Sequence, residues 1–285
     1  MTTVVQLIYN RAAGRHRGSR LAELRETFER NGARVILCEC GPGVEIEIDE
    51  EASHVCAIGG DGTMRHVALA VQRCGRKLPL AVYPAGTVNL LHREIASPLD
   101  PLLHAPRLLG GDSSALHYAV EVNETLFLAC ASVGPDSRAV AALSPRLKRW
   151  IGKAAYVAAF LKVLVRWRRD PIRLVHDGGA IDCEAFYIAK GRYFAGPWSF
   201  APAARLCDPL LHVIALRTAR RRDFGRFIWA MLRGRPVEAL PFVASFSCTD
   251  LQAECAAPLP VQADGDVVSA LPARIRLSAD PISFC

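Results

Sequence analysis

The stretch from Ala57 to Met64, Ala-Ile-Gly-Gly-Asp-Gly-Thr-Met, constrains the fold of this 285-residue chain more than any other part of its sequence. The apolar run from Val55 to Ile58 predicts a buried strand, and apolar residues at helical spacing after Thr63 predict a helix. Three glycines between them let the backbone turn sharply and approach a ligand closely. Because the first N–H groups of a helix have no intrahelical acceptor, this strand, turn and helix predict an anion-binding site.

Asp61 is unusual in such a loop, because its carboxylate repels a phosphate group. The position suits a carboxylate that binds a metal ion or accepts a proton beside the phosphate. The sequence has no G-x-x-x-x-G-K-[ST] motif, which argues against an ordinary P-loop. It also lacks a G-x-G-x-x-G motif followed by a suitably spaced acidic residue, which argues against a Rossmann oxidoreductase.

Two similar strand-to-loop junctions lie before and after this one. The strand Val4 to Tyr9 runs into the loop Asn10 to Gly14, and the strand Leu80 to Tyr83 runs into the loop Pro84 to Asn89. Because the carboxyl ends of parallel strands meet at one edge of a sheet, we expect the three loops to gather there. The pattern predicts an α/β domain with a parallel sheet. The last loop alone suits an ordinary turn equally well, because its polar side chains can bond the local backbone.

The second half of the chain consists of short strand-like runs separated by turn residues, which predicts an antiparallel β-sandwich. A hairpin is expected at Asn123-Glu124, between apolar runs from 117 to 122 and from 125 to 131. Asp264-Gly265-Asp266 follows a later strand and, in isolation, is typical of a hairpin turn. We predict two domains, residues 1–113 and 114–285, with the last strand able to return to the first. The other predicted strands are Ile172–Val175, Ala185–Ala189, Leu211–Leu216, Ala244–Thr249 and Val261–Ala263.

Charge and composition narrow the range of partners. The net charge of +7 favours anionic partners such as nucleotides, nucleic acid or an anionic membrane surface. No run of about 18 apolar residues exists, so no membrane-spanning helix is expected, and the N-terminus does not resemble a signal peptide. The ten cysteines lie in apolar patterns without metal-binding spacing, which favours reduced thiols in a cytoplasmic protein.

Two stretches combine apolar residues at helical spacing with many cations: residues 146–169, and residues 223–233 after Arg220-Arg221-Arg222. Each suits a helix that packs on the sandwich and leaves its cationic face in solvent. Each also suits a surface that docks on anionic lipid, and Phe227 and Trp229 are the candidates for that contact. We find no nucleic-acid-binding motif, so nucleic acid is not expected as a partner.

In combination, these motifs resemble the catalytic family of diacylglycerol kinases and sphingosine kinases, including its bacterial lipid kinases. The loop at Asp61 resembles that family's nucleotide loop, and the ordered resemblance covers nearly the whole chain. Its other elements are Asn10–Gly14 for N-P-x-S-G, Pro84–Asn89 for P-x-G-T-x-N, Ser132–Asp136 for S-x-G-x-D, Gly152–Tyr156 for G-x-x-x-Y, Ala201–Asp208 for A-P-x-A…D-D-G, and Gln262–Asp266 for the D-G-E turn.

The resemblance implies a fold like that of NAD kinase and an ATP- and Mg²⁺-dependent kinase acting on a hydroxyl of a diacylglycerol, sphingoid or related lipid. It implies that Asp61 accepts the hydroxyl proton, that Asp264 is a second catalytic carboxylate and that Asp266 binds Mg²⁺. It also implies peripheral contact of a cytoplasmic enzyme with an anionic membrane surface, and it leaves a homodimer open. The implied nucleotide-binding residues are Asn10, Gly14, Gly59, Gly60, Gly62, Thr63, Gly86, Thr87, Asn89 and Gly265.

Several positions depart from the family pattern. Cys207 and Pro209 alter the D-D-G segment, which helps to hold a structural metal in some bacterial members, and proline cannot take a positive φ. We therefore expect a different turn and do not carry that metal over. The other departures are Arg11, Ala13, His66, Leu90 and Asp266.

Two alternatives to a lipid kinase stay open. NAD kinase shares a GGDG loop and a similar layout, although its further motifs are missing here. A non-catalytic nucleotide- or lipid-binding module would explain the altered segments at 10–14 and 207–209.

Overall fold

The computed structural model describes residues 3–11, 18–41, 44–110, 115–142, 163 and 167–285. The chain divides into two compact units. Met1–Tyr118 and Asp280–Cys285 form the first unit, and Ala119–Ala279 form the second. The Gly152–Tyr156 motif, Gly14 and most of the basic stretch at 146–169 lie outside the described residues.

The described elements follow in chain order. The strands are β1 (Val4–Tyr9), β2 (Arg34–Glu39), β3 (His54–Gly59), β4 (Leu80–Pro84), β5 (Ala115–His117), β6 (Val120–Val122), β7 (Thr125–Phe127), β8 (Cys130–Val133), β9 (Ile172–His176), β10 (Gly179–Cys183), β11 (Ala185–Ala189), β12 (Leu211–Leu216), β13 (Val243–Cys248), β14 (Asp250–Glu254), β15 (Pro260–Ala263), β16 (Asp266–Ala270), β17 (Ala273–Leu277) and β18 (Ile282–Phe284). The helices are α1 (Gly18–Arg30), α2 (Asp61–Arg73), α3 (Leu90–Ile95), α4 (Pro101–Gly110), α5 (Pro135–Ala141) and α6 (Arg221–Leu232), with a 3₁₀ turn at Val237–Ala239.

The first unit is built on a mostly parallel sheet with the order β2-β1-β3-β4-β18-β5. Strands β1 to β4 run parallel, β18 is parallel to β4, and β5 is antiparallel to β18. Every residue of β1 is buried, as the continuous apolar run of a strand covered on both faces requires. Leu24 and Phe28 of α1 pack with Leu7 in this core. The expectation of an α/β domain with a parallel sheet is confirmed.

The second unit contains two antiparallel sheets, with the orders β10-β9-β14-β17-β6-β7 and β13-β12-β11-β8-β15-β16 among the described strands. One hydrophobic core joins them, since Val122 and Ile275 of the first sheet pack in the same cluster as Ile188 and Val213 of the second. The expected antiparallel β-sandwich is confirmed.

The predicted hairpin forms between β6 and β7, where Val122 pairs with Thr125 and Asn123 takes a φ of 52°. The two strands are shorter than predicted, because residues at the outer ends of the predicted strands have other hydrogen-bond partners. Residues Ala115–His117 pair with β18 in the first unit. Leu128 and Ala129 leave the ladder and donate their N–H groups to the Asp264 carboxylate.

Helix α6 packs against β11 and neighbouring residues of the second sheet through aromatic side chains. Phe227 is fully buried, and its ring centroid lies 4.8 Å from that of Tyr187. The prediction that Phe227 contacts a membrane is therefore wrong. Trp229 lies on another face of the same helix and is 55% exposed. Within the described residues, no helix has both the length and the apolar character needed to span a membrane.

Candidate active site

Helix α2 begins at Asp61, two residues earlier than the sequence pattern predicted. Gly60 precedes it in an extended conformation, with φ of −96° and ψ of −177°, and its carbonyl accepts the first helical bond from the Met64 N–H at 3.0 Å. A carboxylate in the first turn of a helix is stabilised by the positive end of the helix dipole. Asp61 therefore lies beside the N–H groups that would bind an anion, within the helix rather than in the loop.

The loops after β3 and β4 touch through their backbones. A Cβ atom placed on Gly86 would lie 2.5 Å from the Cα of Gly60 and 2.7 Å from the Asn89 Oδ1 atom. The Ala85 N–H donates to the Gly59 carbonyl at 2.7 Å. A Cβ on Gly59 would lie 2.5 Å from the Cβ of Thr63, on the first turn of α2. Glycine is required at 86 because the Gly60 backbone is too close for a side chain, and at 59 because the Thr63 side chain fills the space.

Asn89 closes the loop after β4 on itself. Its Oδ1 accepts the Gly86 N–H at 3.0 Å, and its Nδ2 donates to the Gly86 carbonyl at 3.0 Å. Asn89 has a φ of 54°, a left-handed conformation that asparagine adopts more readily than most residues. The amide thus fixes the shape of the loop, whereas Thr87 in the same loop is exposed.

Two hydrogen bonds connect α2 to the neighbouring loops. The Leu91 N–H, in the first turn of α3, donates to Asp61 Oδ1 at 3.2 Å. The Asn10 Nδ2, directly after β1, donates to Thr63 Oγ1 at 3.2 Å. These contacts bring together, at the carboxyl ends of β1, β3 and β4, the predicted residues Asn10, Gly59, Gly60, Asp61, Gly62, Thr63, Gly86 and Asn89.

Asp264 belongs to the second unit and is only 6% exposed. Its carboxylate accepts three backbone N–H groups, from Leu128 at 2.7 Å, Ala129 at 2.9 Å and Cys130 at 3.1 Å. A buried charge requires such partners, and these N–H groups supply them along one short segment. Its own N–H donates to the Cys130 carbonyl at 3.0 Å, so Asp264 anchors the segment that connects β7 to β8.

Gly265 and Asp266 complete the turn between β15 and β16. Gly265 has a φ of 88°, and Asp264 has a φ of 49°. Both are left-handed conformations, which glycine and aspartate tolerate better than most residues. Asp266 is partly exposed at the first position of β16. Among the described residues, no group of three or more histidine, cysteine, aspartate or glutamate side chains is arranged to hold a metal ion.

A buried polar network lies near the turn that resembles S-x-G-x-D. The Ser132 Oγ is within hydrogen-bonding distance of Asp136 Oδ2 and of Gln262 Oε1, and the Tyr187 hydroxyl donates to Asp136 Oδ1 at 3.0 Å. Burial raises the pKa of Asp136, although the bonds from Ser132 and Tyr187 oppose the shift. Sequence reasoning missed Tyr187, because an aromatic residue inside an apolar strand looks like ordinary core.

The geometry agrees with two comparisons of sequence. Residues 4–120 match the family model described as diacylglycerol kinase catalytic domain, and residues 129–283 match the YegS C-terminal NAD kinase beta sandwich-like domain. The chain is 33% identical over 273 residues to a Pseudomonas aeruginosa protein named "Probable lipid kinase YegS-like", covering 95% of this chain and 85% of that protein. The chain belongs to the diacylglycerol kinase catalytic family. The expectation of a kinase of this family is confirmed.

More distant relatives agree with this assignment. A diacylglycerol kinase of Staphylococcus carnosus is 24% identical over 229 residues, covering 80% of this chain and 74% of that protein. A crystal structure of a diacylglycerol kinase from Bacillus anthracis str. Sterne matches with a TM-score of 0.77 at 18% identity, over 99% of this chain and 96% of the other. At that level of identity, the structural match shows a shared fold.

Gly86→Ala tests the contact between the two loops. The new methyl group would collide with the Gly60 backbone, so we expect the free energy of unfolding to fall by about 1–3 kcal/mol and the affinity for ATP to fall with it. Gly110→Ala is the control, because nothing lies within 4 Å of a Cβ at that position. Thermal unfolding and calorimetric titration with ATP measure both effects. Unchanged stability and ATP affinity in Gly86→Ala would contradict the contact.

Proposed function

We propose that this chain transfers the γ-phosphoryl group of ATP to a hydroxyl of a diacylglycerol, a sphingoid or a related lipid. The names of its relatives, lipid kinase and diacylglycerol kinase, support this reaction class. The observation that carries the proposal is the contact between Gly60 and Gly86, beside a helix that starts with Asp61. This arrangement combines an anion-binding helix end with a carboxylate, as phosphoryl transfer to a hydroxyl requires.

The phosphates of ATP would bind at the first turn of α2. The glycines at 59, 60, 62 and 86 are the proposed contacts for these phosphates, because glycine lets the backbone approach a ligand closely. Asn10 and Thr63 would lie beside the nucleotide, and Asn89 would contribute through the shape of its loop. Gly14, Thr87 and Gly265 stay predictions as nucleotide contacts.

Asp61 is the proposed proton acceptor. The N–H of Leu91 holds one carboxylate oxygen, which restricts the rotamer of the side chain. A fixed carboxylate near the transferred phosphoryl group can accept the proton of the lipid hydroxyl, and such general-base assistance contributes roughly 10²–10⁴-fold to a rate. Positioning contributes most of the remainder in reactions of this kind.

Asp264 and Asp266 are the other proposed acidic site residues. Mg²⁺ is usually bound by one or two carboxylates together with the phosphates of the substrate, and Asp266 offers such a carboxylate. The ion would neutralise charge that develops on the transferred group. Asp264 stays the proposed second catalytic carboxylate, and the three N–H bonds it accepts also suit it to position the turn that presents Asp266.

The Asp61→Asn variant tests whether Asp61 accepts a proton in the reaction or only stabilises the fold. Asparagine keeps an oxygen that can accept the Leu91 N–H, so we expect the free energy of unfolding to change by less than about 0.5 kcal/mol. The rate of phosphorylation should fall by roughly 10²–10⁴-fold, because the amide cannot accept the proton. Steady-state kinetics and thermal unfolding measure the two effects. Retained activity would remove Asp61 as the base.

Asp264→Asn is the matched comparison for this variant. Its new NH₂ group must face backbone N–H donors, so we expect the unfolding free energy to fall by about 1–3 kcal/mol. A similar cost for Asp61→Asn would indicate that both carboxylates are primarily structural.

The acceptor is tested by incubating the protein with γ-labelled ATP, Mg²⁺ and a total lipid extract. A labelled lipid, identified by chromatography and mass spectrometry, is the expected product. A labelled soluble dinucleotide would instead support an NAD kinase-like enzyme. ATP binding without any labelled product would support a non-catalytic binding module. The Asp61→Asn variant is the control for contaminating kinases.

The exposed face of α6 is the proposed contact with an anionic membrane surface. Trp229 is 55% exposed and Leu232 is 42% exposed, and the Arg233 guanidinium lies 4.5 Å from the centroid of the Trp229 ring. Apolar side chains flanked by arginines suit the boundary between acyl chains and anionic headgroups. A cytoplasmic enzyme would reach its lipid through such peripheral contact. A homodimer stays a prediction.

Vesicle binding tests this surface. The double variant Trp229→Ala/Leu232→Ala should bind phosphatidylglycerol vesicles roughly tenfold more weakly than the unmodified protein, because it loses apolar contact with the membrane. Leu102→Ala/Leu103→Ala is the control, since these leucines on α4 are similarly exposed. Sedimentation with vesicles, with and without added salt, measures the binding. Equal losses in the two double variants would contradict a specific role of α6.

A further inference from the structure

Lys190 is fully buried directly after β11. Its Nζ atom donates to three backbone carbonyls of one short turn: Arg205 at 3.1 Å, Leu206 at 2.6 Å and Asp208 at 2.6 Å. An ammonium group has three N–H donors, so the number of donors equals the number of these acceptors. We name the turn from Arg205 to Asp208 the carbonyl turn. It surrounds the ammonium group of Lys190, a cation that the same chain supplies.

The carbonyl turn needs a cation for an electrostatic reason. Three carbonyl oxygens that point to one buried position repel one another, and each loses water on burial. A positive charge among them offsets both costs. The ammonium group gains equally, because a buried charge without hydrogen-bond partners is strongly unfavourable.

We propose that the carbonyl turn is a cation-binding site whose ligand is the ammonium group of Lys190, so that this segment binds no metal ion. The corresponding D-D-G segment was expected to differ from that of relatives with a structural metal, because Cys207 and Pro209 alter it. The carbonyl oxygens are suitable ligands for a hard cation, but the point they surround is occupied by Nζ. A metal could bind there only if Lys190 left.

This site is connected to Asp264 through one residue, Ala129. The N–H groups of Lys190 and Gly191 both donate to the Ala129 carbonyl at 2.9 Å. The Ala129 N–H in turn donates to Asp264 Oδ1 at 2.9 Å. The lysine therefore holds the carbonyl turn with its side chain and the segment around Asp264 with its backbone.

The first test uses the unmodified protein without ATP or lipid, so it is independent of the proposed reaction. Amide hydrogen exchange of peptides covering residues 204–211 is measured with EDTA, with CaCl₂ and with MgCl₂. We expect the same exchange in all three, because the cation is covalently part of the chain. Faster exchange of these peptides in EDTA would overturn the proposal.

The second test removes the charge. In Lys190→Met, exchange of the 204–211 peptides should accelerate at least tenfold, and Tm should fall by roughly 5–15 °C. Lys77→Met is the matched control, because Lys77 is exposed, and it should leave both quantities unchanged. Unchanged exchange and Tm in Lys190→Met would overturn the proposal.

The third test supplies a replacement cation. Lys190→Ala opens space beside the carbonyl turn, so ammonium or potassium chloride should slow exchange of the 204–211 peptides in this variant. Tetramethylammonium chloride at equal ionic strength should not, because that ion is too large. Equal effects of the three salts would overturn the assignment of a cation site.

A measurement on the unmodified protein covers the case in which both Lys190 variants fail to fold. In the folded protein, an amine-reactive label should modify Lys77 at least tenfold faster than Lys190. Equal labelling of the two lysines would show that the ammonium is accessible and would overturn the proposal.

Discussion

The first unit depends on the contact between the backbones of Gly60 and Gly86. Because these atoms meet without side chains, the ends of β3 and β4 carry two loops in van der Waals contact, and Asp61 and Asn89 are held on either side. Asn89 closes one loop, and Leu91 reaches Asp61 from the helix that follows it. A methyl group on Gly86 would lie 2.5 Å from the Gly60 Cα and would force the two loops apart, whereas one on Gly60 would lie 3.2 Å from the Gly86 Cα and would require a smaller shift.

In the second unit, two buried charged side chains hold backbone segments together. Asp264 is a buried anion that accepts three backbone N–H groups, and Lys190 is a buried cation that donates to three backbone carbonyls. The backbone of Ala129 bonds to both residues: its N–H donates to the Asp264 carboxylate, and its carbonyl accepts the Lys190 N–H. Removing either charge would leave several buried backbone groups without partners, at about 1–3 kcal/mol for each group left unsatisfied. Charged side chains thus hold irregular segments that no strand ladder could hold.

Sequence patterns correctly predicted the elements that pack against apolar side chains in the structure. Strands β11 and β12 lie at the predicted residues, because a strand covered on both faces needs a continuous apolar run. The sequence analysis did not predict strands β14 and β17. Asp250 of β14 and Arg274 of β17 form an ion pair across the two strands, but in the sequence alone such charged residues are typical of loops. Lys190 was missed for a related reason. A lone cation after an apolar strand is a signal, but its partners lie 15 to 18 residues away in sequence.

The motif residues themselves divide into two kinds once their partners are known. Asn89 and Asp264 bond to backbone, so their identity is explained by loop geometry even without a ligand. Asp61 also accepts a backbone N–H, from Leu91, but its carboxylate lies in the first turn of α2, where a phosphate would also bind. The Leu91 N–H draws one of its oxygens toward α3, which lessens its repulsion of an anion at the end of α2. Loop geometry alone would not require a charge at that position, whereas a reaction that needs a proton acceptor beside a phosphate would.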